Sequence, residues 1–76
     1  MKIEVLGIGC PKCRKMEENA RKAVKELGIK AEVFHVYDAV EIARRGIVST
    51  PALVVDGKVK VAGRVPTVEE IKRLLK

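Results

Sequence analysis

Two cysteines stand in one short stretch, Cys10-Pro11-Lys12-Cys13. The thiolate is the reactive form of cysteine, both as nucleophile and as metal ligand. Context decides between those uses. Pro11 suits the first position of a helix, where a missing N–H costs nothing, and the residues after it follow a helical pattern. Cys10 then falls at the N-cap, Pro11 at N1, Lys12 at N2 and Cys13 at N3. The unpaired N–H groups of that first turn, together with the helix dipole, favour negative charge on the Cys10 sulfur. Lys12 and Arg14 add positive potential. Cys13 lies one turn in, where more burial is expected, and is placed to attack a mixed disulfide formed on Cys10. Cys10 as nucleophile and Cys13 as resolving thiol describe dithiol–disulfide exchange. That chemistry runs on a redox-active Cys10–Cys13 disulfide and requires no organic cofactor or metal.

Other uses of the pair are weighed against this one. A structural disulfide here would close a four-residue loop and constrain the unfolded chain by only about 2 kcal/mol. A closed zinc site needs four ligands, and the chain offers Cys10, Cys13 and His35, the last on a different element. Soft Cu(I) accepts two thiolates. A copper or zinc carrier using the same two cysteines therefore stands as the alternative. A regulatory module whose disulfide state gates a partner is a third reading.

The elements that must position the pair follow from local signals. Residues 2–7, KIEVLG, read as a strand. Residues 11–27 read as a helix with Met16, Ala20, Ala23, Val24 and Leu27 on one stripe, and Gly28 is the expected C′ residue. Residues 30–37 read as a second strand, rich in β-branched and aromatic residues. Asp38 is placed to cap a short helix over 39–45, closed by Gly46. Residues 52–55 and 58–62 flank Asp56-Gly57, a strong hairpin signal. Thr67-x-x-Glu70 is a capping box for a last helix, with Val68, Ile71, Leu74 and Leu75 as its apolar face. The order is βαβαββα. The first βαβ unit implies a parallel pair and the hairpin an antiparallel one. A four-stranded mixed sheet with helices on both faces would bury every stripe.

Composition narrows the function. The chain has 76 residues, of which 47% are hydrophobic and 34% charged, which excludes disorder and leaves room for a single domain over 1–76. No apolar run approaches the length of a membrane span, and no secretory signal pattern is visible, so a cytoplasmic monomer is expected. The net charge of +6 is spread among mixed charges, and Phe34 and Tyr37 are the sole aromatic residues. Nucleic-acid binding, which wants stacking platforms, is therefore not expected. The chain has no Gln, one Asn, and abundant Lys, Arg and Glu, a pattern associated with thermophile proteins.

The order βαβαββα, the Cys-Pro-Lys-Cys at the first helix and Thr50-Pro51 before the third strand resemble the thioredoxin fold. The match is to the very small thioredoxin-like redox-active disulfide proteins of archaea and bacteria, and it covers essentially the whole chain. The resemblance implies a minimal thioredoxin α/β fold and a cis bond before Pro51, facing the cysteines. It also implies a Thr50 backbone that pairs with an extended segment of a substrate protein. Pro11, Lys12 and Gly63 would complete the substrate groove. Protein disulfides would be the substrates, and a reductase or small thiol the source of electrons. The chain departs from the W-C-G-P-C of larger thioredoxins. It also departs from the glycine pair and acidic residue of glutaredoxins, where it has Ala62-Gly63-Arg64-Val65.

A few side chains stand apart. Glu4 is expected to be a solvated or edge-facing charge, with proton transfer to Cys13 as the functional alternative. His35 is expected at a polar position on an edge strand, Tyr37 to pack at a strand end, and Arg64 to be a loop charge or a guide for acidic partners.

Overall fold

The computed structural model describes residues 1–7, 11–47 and 49–75. Its elements run β1 (Lys2–Leu6), α1 (Pro11–Leu27), β2 (Glu32–Val36), α2 (Ala39–Arg44), β3 (Ala52–Val55), β4 (Lys58–Ala62) and α3 (Val68–Leu75). The strands form one sheet in the order β2-β1-β3-β4. β1 is parallel to β2 and antiparallel to β3, and β3 is antiparallel to β4. This is the minimal thioredoxin α/β architecture.

The ends of the elements show why these residues form them. Gly28 has φ of 64° and donates its N–H to the Val24 carbonyl at 3.0 Å, ending α1. The Asp38 carboxylate accepts from the Val40 and Glu41 amides and starts α2. Thr67 Oγ1 accepts from the Glu70 amide at 3.1 Å, while Glu70 accepts from the Thr67 amide at 3.4 Å, which completes the capping box of α3. Asp56 and Gly57 both have positive φ, as the tight β3–β4 turn requires.

Side-chain alternation along the strands divides the core in two. Ile3 and Val5 of β1 join Leu53, Val55 and Val61 against Met16, Ala20 and Ala23 of α1 and Ile71 and Leu75 of α3. Leu6, Ala52 and Val54 face the other way and pack with Ile42 of α2 and with Ile47. Each fully buried Ile, Leu or Met contributes about 1.5–3 kcal/mol relative to exposure. A register shift at Leu53/Val54 inserts Lys60 as an extra residue, so Val61 lies opposite Leu53 and Val59 opposite Val54. Val61 is therefore buried while Val59 is exposed. Among the described residues, no helix is long and apolar enough to cross a membrane.

Three polar side chains are largely enclosed, and one of them, Glu4, departs from expectation. Glu4 is neither solvated nor at an edge. It lies on the central strand, 4% exposed, with its carboxylate held by both Nη atoms of Arg45 at 2.7 Å. It shares a sheet face with Leu6, toward α2, whereas Ile3, Val5 and Gly7 alternate to the α1 face. Asn19 stands within the buried stripe of α1 and donates from Nδ2 to the Pro66 carbonyl at 3.0 Å, tying α1 to the start of α3. His35 does lie on an edge strand, but its side chain is only 6% exposed.

Candidate functional site

The site forms where the end of β1, the first turn of α1 and the start of β3 converge. Pro11 opens α1, as its fixed φ and missing N–H allow, and both Pro11 and Lys12 are exposed. Cys13, one turn in, has 0% exposure. Cys10 and its N-cap placement lie outside the described residues. Cys13 packs against Gly7, so closely that a Cβ built on Gly7 would fall onto the Cys13 sulfur. The same Cβ would lie 3.9 Å from the Cα of Pro51. A side chain on Gly7 would thus meet both the helix cysteine and the segment that leads into β3.

That segment has the cis geometry the resemblance implies, with a cis peptide bond between Thr50 and Pro51. Pro51 is buried and Thr50 exposed. Gly63, just after β4, donates its N–H to the Pro51 carbonyl at 2.9 Å. Its φ is 82°, and a Cβ there would approach the Ser49 Cβ to 3.2 Å. Gly63 therefore braces the Pro51 segment from behind through its backbone. Arg64, beside it, is bound in an ion pair with Glu70 at 2.8 Å. That contact, with the capping bond from Thr67, holds the Glu70 carboxyl below the usual range.

The structure brings Cys13, Pro51 and Gly63 into one region and sets exposed Thr50 beside them. Glu4 is not part of it. Its position on the α2 face puts the sheet between its carboxylate and Cys13. Arg45, first by hydrogen bonding and then by charge, lowers the Glu4 pKa against the opposing effect of burial. Gly7 is the site residue missed by sequence reasoning, which treats it as the end of a strand. Its sole signal is a glycine three positions before a cysteine, which local rules assign to a turn.

Beside the site, α1 and the end of β2 border a groove of about 370 Å³, lined by Arg14, Glu17, Glu18, Arg21, His35 and Tyr37. Glu17 lies 2.8 Å from His35 Nδ1 and 3.1 Å from Arg21. The His35 ring stacks on Tyr37 with centroids 3.9 Å apart. Among the described residues, no group of three or more His, Cys, Asp or Glu side chains is placed to hold a metal ion.

Comparison with known proteins gives the geometry a context. A family model described as a thioredoxin domain matches residues 1–76. The chain is 48% identical over 75 residues to a protein named thioredoxin from Methanothermobacter thermautotrophicus, covering 99% of this chain and 97% of that one. It is 49% identical over 74 residues to a thioredoxin of Methanocaldococcus jannaschii, covering 97% of this chain and 85% of that one.

Proposed function

The chain belongs to the thioredoxin family, and from that premise we propose that it exchanges electrons with protein disulfides through Cys10 and Cys13. The observation that carries this reading is a fully buried Cys13 packed against Gly7, whose other near neighbour is Pro51 of the cis Thr50–Pro51 bond. A buried thiol one turn into a helix suits a resolving role. Cys10 immediately precedes Pro11 in the sequence, and the reading assigns it the attacking thiolate, the form that a helix N-terminus favours.

The cycle has two displacements. The Cys10 thiolate attacks one sulfur of a substrate disulfide, and the other substrate sulfur leaves as a thiolate. Cys13 then loses its proton and attacks the Cys10 sulfur. The Cys10–Cys13 bond forms, the Cys10–substrate bond breaks, and the second substrate sulfur leaves. The cysteine pair gives up two electrons, which the substrate disulfide takes, and the two substrate thiolates are protonated by the proton released from Cys13 and one from solvent. A reductase or a small thiol returns the electrons. Thr50 offers backbone groups to an extended substrate segment, as an added strand would use them. Pro11, Lys12, Pro51 and Gly63 shape the groove around it. The reading requires no cofactor beyond the cysteine pair, and it places the activity in the cytoplasm.

Two measurements test it. In graded thiol–disulfide buffers, quenched by alkylation and counted by mass, the chain should form a reversible intramolecular disulfide. Its potential should lie within the range spanned by thioredoxins and glutaredoxins. Cys13→Ser should accumulate mixed disulfides on Cys10. Thiols that stay reduced throughout, and a Cys13→Ser variant that traps nothing, refute the proposal.

A further inference from the structure

Gly7 is buried at the end of β1. A Cβ built there would land on the Cys13 sulfur and come within 3.2 Å of the Cys13 Cβ. Its backbone is not in the left-handed region, unlike that of Gly28, Gly46, Gly57 and Gly63. Conformation therefore does not call for glycine here, and the lack of space does. The strand has no slack with which to retreat, because the Gly7 amide donates to the Val36 carbonyl at 3.0 Å. From the other side, Cys13 is fixed in the first turn of α1, where helix geometry restricts χ1. At 0% exposure its sulfur is enclosed by neighbouring atoms.

We infer that Gly7 is a positioning residue for the resolving thiol. Its bare Cα sets where the Cys13 sulfur rests, and so controls passage from the mixed disulfide to the Cys10–Cys13 disulfide. The inference rests on the exchange reaction proposed above. In the step concerned, the Cys13 thiolate bonds to the Cys10 sulfur while the bond from Cys10 to the substrate breaks. The departing substrate thiolate takes up a proton equivalent to the one Cys13 released. The first attack, by Cys10, forms no bond to the Cys13 sulfur. A methyl group at position 7 therefore impedes the second step and spares the first. It also bears harder on the oxidised state, because a sulfur bonded to Cys10 has fewer ways to turn aside than a thiol.

The experiment compares wild type with Gly7→Ala, using insulin as the disulfide substrate and acid quenching with mass analysis to follow the mixed disulfide. Attack by Cys10 should stay within about twofold, while resolution slows about tenfold. In glutathione buffers the Cys10–Cys13 equilibrium should move about tenfold toward the dithiol, which is about 30 mV for this two-electron couple. A purely structural role for Gly7 would lower stability without separating the two steps. If wild type exchanges and Gly7→Ala resolves at the same rate with the same equilibrium, the inference fails alone. If wild type exchanges with no disulfide, the proposed function fails and takes the inference with it. Should Gly7→Ala not fold, the same substitution is made with Cys13→Ala. Recovery of the fold there supports the contact with sulfur. An equally unfolded double variant overturns it.

Discussion

Arg45→Met should be among the most costly single substitutions outside the core. Arg45 holds the buried Glu4 carboxylate through two contacts of 2.7 Å, and the Glu4 side chain is 6% exposed. Removing one partner of a buried pair costs roughly 3–5 kcal/mol, because the other charge is left without compensation. Arg45 itself is 29% exposed, so water reaches the pair and roughly 2–3 kcal/mol is the better figure. The lost contact to Glu41, at 3.2 Å and one turn away, adds about 0.3–0.5 kcal/mol. For a domain of this size, each kcal/mol corresponds to about 4–8 °C in Tm, so the drop should be roughly 10–25 °C.

The pH dependence gives a sharper test of the same substitution. Arg45 lowers the Glu4 pKa in the folded chain. The pair therefore stabilises fully above the unfolded value, about 4.3, and that stability is lost as pH falls through the folded pKa. In Arg45→Met, burial is opposed only by Lys2, and protonation relieves the stranded carboxylate. The gap between the two proteins should be widest at pH 7 and narrow near pH 3.5, measured by urea unfolding with far-UV circular dichroism. Glu4→Leu combined with Arg45→Met should recover most of the loss. A cost below about 1 kcal/mol at pH 7, or a gap that is the same at both pH values, would refute the reasoning.

Three further substitutions probe other joints of the fold. Asn19→Ala removes the donor to a buried Pro66 carbonyl and should cost about 1–3 kcal/mol in urea unfolding. Thr67→Ala should cost about 1 kcal/mol and speed amide exchange in α3, with Thr67→Ser restoring most of it. Gly57→Ala forces a side chain into a φ of 82° and should cost about 1–2 kcal/mol, read as a lower urea midpoint.

The parts of the fold legible in the sequence carry their own local signals. Pro11 and Gly28, Asp38 and Gly46, and Thr67 with Glu70 mark the helices from within a few residues of their ends. Asp56-Gly57 marks the hairpin in the same way. Contacts between distant residues leave no such mark. A glutamate between Ile3 and Val5 suggests a solvent-facing position, and the guanidinium that makes its burial tolerable comes from Arg45, 41 residues further on. Asn19 occupies a stripe that periodicity treats as apolar, because its partner lies 47 residues away. The bulge at Lys60 redirects Val59, which simple alternation would have put on the same side as Val61. In the site, the burial of Cys13 follows from its depth in the helix, whereas the cis geometry at Pro51 was carried by the family resemblance. The demand for glycine at position 7 exists only once β1 and α1 are packed together.

The position of β1 has a consequence for how the protein is made. β1 leaves the ribosome before β2 and β3, yet it lies inside the sheet with β2 on one side and β3 on the other. Once β2 has emerged, β1 can pair along one edge only. Its other edge waits for β3, and Leu6, on the face opposite Ile3 and Val5, waits for Ile42, Ile47, Ala52 and Val54. At about 5–20 residues per second, that interval is on the order of seconds. During it the nascent chain presents an unsatisfied strand edge beside apolar surface, the combination that invites pairing with other chains. Synthesis thus delivers the central strand before one of the two neighbours that cover it.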